Sequence, residues 1–198
     1  MLPEPLLVVA TIVRAFDTLK IRYVVGGSVA SSLYGFPRAT QNVDLVAEIR
    51  LENVEAVTSL LAGEFYVDAG MIRDAIGRTA SFNVIHLATM FKADVFLLKY
   101  DSWSREEMLR ARTEQFTAPD GPISIRFSSP EDTLLHKLVW YKLGNETSDR
   151  QWGDMLGILK VQGAALDSSY LDRWAPLLDV SAQLDRARRA ASAPDENS

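Results

Sequence analysis

The chain has 198 residues, no cysteine and a net charge of −5. That length buries a sizeable core without covalent staples, and the missing thiol excludes disulfides, thiol catalysis and thiolate zinc sites. The acidic balance argues against a large non-specific nucleic-acid surface and leaves room only for a local basic groove. The composition, 47% hydrophobic and 24% charged, is that of an ordinary globular domain, and the absence of cysteine fits a reducing, cytoplasmic setting. The apolar run Leu6 to Ala10 is too short to span a membrane. Met1-Leu2-Pro3-Glu4 lacks the positive charge of a signal peptide, so none is expected, and no membrane partner is expected.

In chain order, residues 5 to 19 read as a helix, with Leu6, Val9, Val13 and Phe16 on one stripe. Ile21 to Val25 is a short apolar strand that runs into Gly26-Gly27. A helix from about Ser28 to Tyr34 follows, closed by Gly35 and Pro37. Val43 to Ile49 is a second strand and Leu51 to Ala62 a helix. Ser81 to Leu87 and Phe91 to Tyr100 read as adjacent strands with a tight connection. Ser102 to Arg112 reads as a helix. Ile123 to Phe127 is a strand after the turn Pro119-Asp120-Gly121-Pro122.

The pattern changes at Ser129. Ser129-Pro130-Glu131-Asp132 is a helix start: a capping serine, a proline in the first turn and acids at the positive helix end. Leu134, Leu135, Leu138 and Val139 form that helix's apolar stripe. A second helix runs from about Ser148 to Val161, with Trp152, Met155, Leu156 and Leu159 on one face, and helices continue to about residue 190. The expected organisation is an α/β (α+β) domain over residues 1–128, then a helical bundle over 129–198. A frayed tail is expected from about residue 193.

The stretch with chemistry in it is Tyr23-Val24-Val25-Gly26-Gly27-Ser28, followed by Gly35-Phe36-Pro37-Arg38-Ala39-Thr40-Gln41-Asn42-Val43-Asp44. A strand that turns through glycines into a helix points backbone N–H groups at open space, where the helix dipole adds positive potential. Glycine lets the main chain approach a ligand closely, and Ser28 adds a hydroxyl. Gly26, Gly27 and Ser28 thus have the makings of a phosphate cradle. Residues two apart on a strand share a face, so Asn42 and Asp44 point the same way. Asp94 lies within the apolar run Ala93, Val95, Phe96 and Leu97, where a charge is costly unless paired or bound to metal. The other reading of Asp94 is an edge-strand charge facing solvent. If the strands are neighbours, Asn42, Asp44 and Asp94 converge as oxygen ligands suited to Mg2+ or Mn2+.

These motifs resemble the nucleotidyltransferase superfamily with the polymerase-beta-like catalytic fold. Its marks are a Gly-Gly/Ser turn, two carboxylates separated by one residue, and a third carboxylate on a later strand. Gly35, Pro37-Arg38 and Thr40 resemble the AbiEii-type toxin nucleotidyltransferases in particular. The resemblance covers residues 20 to 100, and extends more weakly to Pro130-Glu131-Asp132 with Lys137 and to Ser148 to Trp152 with Asp154.

It implies a nucleotidyltransferase-type mixed sheet with flanking helices and transfer of a nucleoside monophosphate from an NTP to a hydroxyl of RNA or protein. It also implies a possible cognate antitoxin as partner. Gly27 and Ser28 would hold the β- and γ-phosphates, Asp44 with position 42 the metal ions, and Asp94 the catalytic metal and the attacking hydroxyl. Lys137 would reach the nucleotide, and Arg38 and Arg150 are phosphate candidates. Each of these cations has a plainer reading: Lys137 on a helix surface, Arg38 as a loop charge, and Arg150 paired with Asp154 four residues on. Asn42 departs from the family pattern, which has a carboxylate there. It leaves open a nucleotide-binding pseudoenzyme that acts through a partner. His86 and His136 are too few for a zinc site. Trp140, Tyr141 and Trp152 read as core, and Arg186, Arg188 and Arg189 as a solvated helix face.

Overall fold

The computed structural model describes residues 4–118 and 121–193. The first two residues of the expected turn at 119–122, and the expected tail beyond 193, lie outside them.

The chain divides into two compact units. One comprises residues 1–29 and 39–128, the other residues 30–38 and 129–198. The first unit is built on a seven-stranded mixed sheet. Its strands are β1 (Tyr23–Val25), β2 (Asn42–Ala47), β3 (Phe65–Tyr66), β4 (Ser81–His86), β5 (Lys92–Leu97), β6 (Arg112–Ala118) and β7 (Gly121–Phe127), in the order β3-β4-β5-β2-β1-β7-β6. β2 pairs in parallel with β5 and antiparallel with β1, and β1 pairs in parallel with β7.

Alternation along the central strands divides the sheet into two unlike faces. Val43, Leu45, Ala93, Val95, Phe82 and Val84 are buried on one. Helices α1 (Glu4–Thr18), α3 (Val54–Leu61) and α4 (Ala69–Arg78) cluster with this side of the sheet. Phe16 of α1 meets Tyr23 of β1 at 5.9 Å between ring centroids. The other face carries Asn42, Asp44, Lys92 and Asp94. Its far end is closed by a small apolar cluster of Val24, Leu98 and Met108, the last from α5 (Ser102–Arg110), packed with Val46.

Several elements differ from the sequence reading. β1 begins at Tyr23 rather than Ile21, because the Ile21 N–H donates to Phe16 O (2.8 Å) and closes α1 instead of joining the sheet. Lys20 makes the reversal with φ 55°. The helix expected over 51–62 is a 3-10 turn, Leu51–Asn53, followed by α3. Three elements were not anticipated: α4, capped by Asp68 accepting from the Met71 N–H, and the edge strands β3 and β6.

The second unit is helical. Helix α2 (Gly27–Tyr34) begins in the first unit, and its residues from Ala30 onward belong to the second. With it are α6 (Pro130–Leu143), α7 (Asp149–Gln162), α8 (Ser168–Leu177) and α9 (Ser181–Ser192). α6 starts as its sequence dictates: the Ser129 side chain accepts from the Asp132 N–H, and Leu134, Leu135 and Leu138 are fully buried. The acids of its first turn also point inward. Asp132 accepts hydrogen bonds from Ser129 Oγ (2.7 Å) and Tyr170 OH (2.6 Å), and Glu131 accepts from the Asp167 N–H (2.9 Å). Gly35 lies against α7 so closely that a Cβ on it would meet the Gly157 carbonyl carbon at 2.8 Å. Gly35 is required for that approach, and a Cβ on Gly157 would press on the Phe36 N at 3.0 Å. Among the described residues, no helix is long and apolar enough to cross a membrane.

Candidate active site

The floor of the candidate site is the β1–α2 turn. The Gly26 N–H donates to Asp44 O (2.9 Å), which ties the end of β1 to the middle of β2. Gly27 then opens α2 with φ 58°, a left-handed conformation that L side chains rarely adopt. A Cβ at Gly27 would lie 1.8 Å from Asp44 Oδ2. The space of that absent side chain is filled by the Asp44 carboxylate, brought against the first turn of the helix. Ser28 is the next residue of that turn.

The walls come from strand register. Asp44 and Asp94 are direct partners across the parallel β2–β5 pair, and Asn42 stands opposite Lys92. β5 lies between β2 and β4, so Asp94 is an interior residue of the sheet, its side chain 15% exposed, and not an edge charge. Asn42 Nδ2 donates to Asp94 Oδ2 (3.0 Å), and Lys92 Nζ pairs with Asp94 Oδ1 (3.0 Å). Thr40 Oγ1 donates to Asn42 O (2.9 Å) and lies 3.4 Å from Asn42 Oδ1, which holds the amide from behind. Asn83 of β4 is opposite Asp94 on its other side. The sequence reading passed over Lys92 and Asn83. Period-two spacing from Asp94, together with the antiparallel partner strand, is the signal that finds them.

Like charges directly opposite each other on a sheet destabilise it unless a cation compensates. Two carboxylates on one face are hard-oxygen donors that fit Mg2+ or Mn2+, with water and ligand phosphate completing the shell; the Asn42 amide adds an oxygen only by turning its Nδ2 away from Asp94. Glycine at 27 admits the Asp44 carboxylate to the first turn of α2, which sets a metal-binding group beside a phosphate-binding helix start. Among the described residues, no three His, Cys, Asp or Glu side chains gather to hold a metal ion.

Three more residues with an expected nucleotide role belong to the helical unit. Two of them, Arg38 and Lys137, meet at one carboxylate. Arg38 grips Asp154 through Nε to Oδ1 (2.7 Å) and Nη2 to Oδ2 (2.9 Å). Lys137 Nζ donates to Asp154 Oδ2 (2.7 Å), and Ser31 Oγ lies 3.4 Å from the same oxygen. Lys137 is 5% exposed, so it is no surface lysine, and Arg38 is more than a loop charge. Burial pushes the Asp154 carboxyl up, but the hydrogen bonds and charges of Arg38 and Lys137 outweigh it and hold the group below the usual aspartate value. The third residue, Arg150, is exposed on the first turn of α7 and is not joined to this cluster. Asp154 bonds to Arg38 and Lys137 rather than to Arg150.

No family model matches the sequence, and no curated protein matches it either. Solved structures do. A nucleotidyltransferase-like antigenic protein from Paracoccidioides brasiliensis superposes with a TM-score of 0.54 at 18% identity, over 94% of this chain and 93% of that one. The antibiotic-resistance factor ANT(2'')-Ia, in complex with adenylyl-2''-tobramycin, gives a TM-score of 0.54 at 12% identity, over 87% of this chain and 95% of that one. Its solution structure gives 0.50 at 15% identity, over 88% and 94%. The shared property is the fold.

Proposed function

We propose, from the premise that the chain has a nucleotidyltransferase-type fold, that it transfers a nucleoside monophosphate from an NTP to a hydroxyl group. One observation carries the reading. Two carboxylates stand in register on neighbouring parallel strands, and one of them occupies the space left by the glycine that opens a helix. A helix N-terminus favours phosphate, and paired carboxylates favour a divalent cation, so the two features together suit a metal-bound triphosphate.

In this proposal the N–H groups of Gly27 and Ser28 hold the terminal phosphates, and Gly26 fixes the turn. Asp44, Asp94 and the Asn42 amide oxygen would hold the cation, which would supply neutralisation of phosphate charge and polarisation of the reacting phosphoryl group. Asp94 accepts the proton of the attacking hydroxyl. The oxygen–phosphorus bond to the acceptor forms as the bond to pyrophosphate breaks. Catalysis rests on positioning and charge. Arg38, Lys137 and Arg150 are assigned to phosphate contact by the resemblance alone, as is the toxin role with its antitoxin. The acceptor is a hydroxyl of RNA or protein. The adenylylated aminoglycoside in one structural neighbour adds small hydroxylated molecules to the acceptors worth testing.

Asn42 favours a second reading: a nucleotide-binding protein with impaired transfer that acts through a partner. A thermal-shift panel of the four NTPs with and without Mg2+, followed by label transfer from radiolabelled NTP into cell extract, separates the two. The transferase reading expects Mg2+-dependent stabilisation by an NTP and a labelled product sensitive to Asp44→Asn. Stabilisation without label in any acceptor selects the second reading, and no stabilisation by any nucleotide refutes both.

A further inference from the structure

Asp94 is doubly engaged before any ligand arrives. Asn42 Nδ2 is 3.0 Å from its Oδ2, and Lys92 Nζ is 3.0 Å from its Oδ1. Both groups present N–H where a divalent cation requires oxygen, and one of them is an ammonium. A metal ion cannot share Asp94 Oδ1 with that ammonium, because like charges at contact distance repel. Lys92 is nevertheless placed to leave. It is the first residue of β5, on a flexible four-carbon arm, and its side chain is 43% exposed. Asn42 needs only a half-turn of its amide to exchange donor for acceptor.

We infer that Lys92 is the resident counter-ion of Asp94 and is exchanged for the divalent cation when the metal-bound nucleotide enters. The lysine compensates the in-register Asp44–Asp94 pair in the ligand-free protein and holds divalent-cation affinity down. The site therefore stays ordered without metal and fills when the cation arrives with an anionic ligand that receives the displaced ammonium. The proposal rests on the metal-site reading given above and adds its regulation by a residue of this chain.

Mn2+ alone, titrated into the full-length protein and followed by the electron paramagnetic resonance of the free ion, tests it without recourse to activity. Lys92→Met should bind Mn2+ more tightly by about three- to tenfold, the size expected for removing one partly screened charge from the contact. Lys92→Arg, which keeps the charge, should stay closer to the parent. Lys99→Met, an exposed lysine beyond the end of β5, controls for net charge. The Lys92→Met variant should also melt earlier in chelator and recover more on adding Mn2+ than the parent does. If Lys92→Met and Lys99→Met bind Mn2+ alike while Asp44→Asn still abolishes binding, the exchange is wrong and the metal site stands. Absence of Asp44-dependent Mn2+ binding from every variant would overturn both.

Discussion

At the residue scale, the sharpest constraint is Gly27. An alanine there must hold a left-handed φ, at roughly 1–2 kcal/mol for an L residue, and must also displace the Asp44 carboxylate from the space it fills. Gly27→Ala should therefore lose at least that much stability by urea denaturation, and lose Mg2+-dependent stabilisation by NTP as well. Unchanged values would mean that the turn is only a chain reversal. Asn42 makes a complementary case. Its amide donates to Asp94, and Asn42→Asp would set two carboxylates at about the same separation, where both cannot remain charged without cost. The variant should melt below the parent in chelator, regain the difference in Mg2+, and show equal or greater label transfer. A variant that melts like the parent under both conditions would place position 42 outside the ligand set.

At the scale of elements, Asp154 organises the helical unit by joining α7 to Lys137 on α6 and to Arg38 after α2. Replacing one member of a buried ion pair leaves the others unpaired and costs about 3–5 kcal/mol. Asp154→Asn should destabilise to that order in chemical denaturation. Its folded-state value is depressed, so the carboxylate contributes stability that is fully present above the unfolded aspartate value, about pH 3.9, and is lost as the pH falls through the folded value. The parent should therefore lose stability on acidification below about pH 4, with a steeper slope than Asp154→Asn. Equal slopes would show that other carboxylates dominate the acid transition.

The same elements show what was legible in the sequence. β2 and β5 announce themselves by strict alternation, and period two puts Asn42 and Asp44 on one face, but Asp94 joins them only through the parallel β2–β5 register. α6 declares both its start, at Ser129-Pro130, and its stripe. β6 hides because Thr113-Glu114-Gln115 on an exposed edge has no apolar period. α4 hides because only Ile72 and Ala75 of its ten residues are buried. The burial of Lys137 was invisible for a different reason. Its partner is a carboxylate 17 residues away, not a neighbour in sequence. Arg186 is a similar case. Its guanidinium lies 4.6 Å from the Trp152 ring centroid and 2.7 Å from Glu146 Oε2, so it docks α9 and is not merely a solvated charge.

At the scale of the whole molecule, the chain passes from one unit to the other three times: after residues 29, 38 and 128. The segment of residues 30–38 belongs with helices that follow it by more than ninety residues. Gly35 meets Gly157, and Gln162 Nε2 donates to Tyr34 O (2.8 Å). Cutting after Ser128 therefore does not release an intact α/β unit. A fragment of residues 1–128 should be cleaved by protease within 30–38, where the full-length chain is protected, and should show lower helicity than its α1 to α5 content requires. Equal protection of the segment in the fragment would show that it is held by the first unit alone.

The parallel pairing of β2 with β5 has a consequence in time. Asp44 and Asp94 become neighbours only after the residues between them, with α3, β3, α4 and β4, have been made and folded back. Non-local parallel pairing closes a long loop before it is rewarded, so it is slow. During synthesis the glycine turn and its first carboxylate emerge from the ribosome well ahead of the second. The nascent chain then exposes Val43 and Leu45 without their β5 partners, a stage at which unpaired strand edges invite aggregation. The interval between the two aspartates is therefore where a chaperone would be needed, and where slow codons would matter.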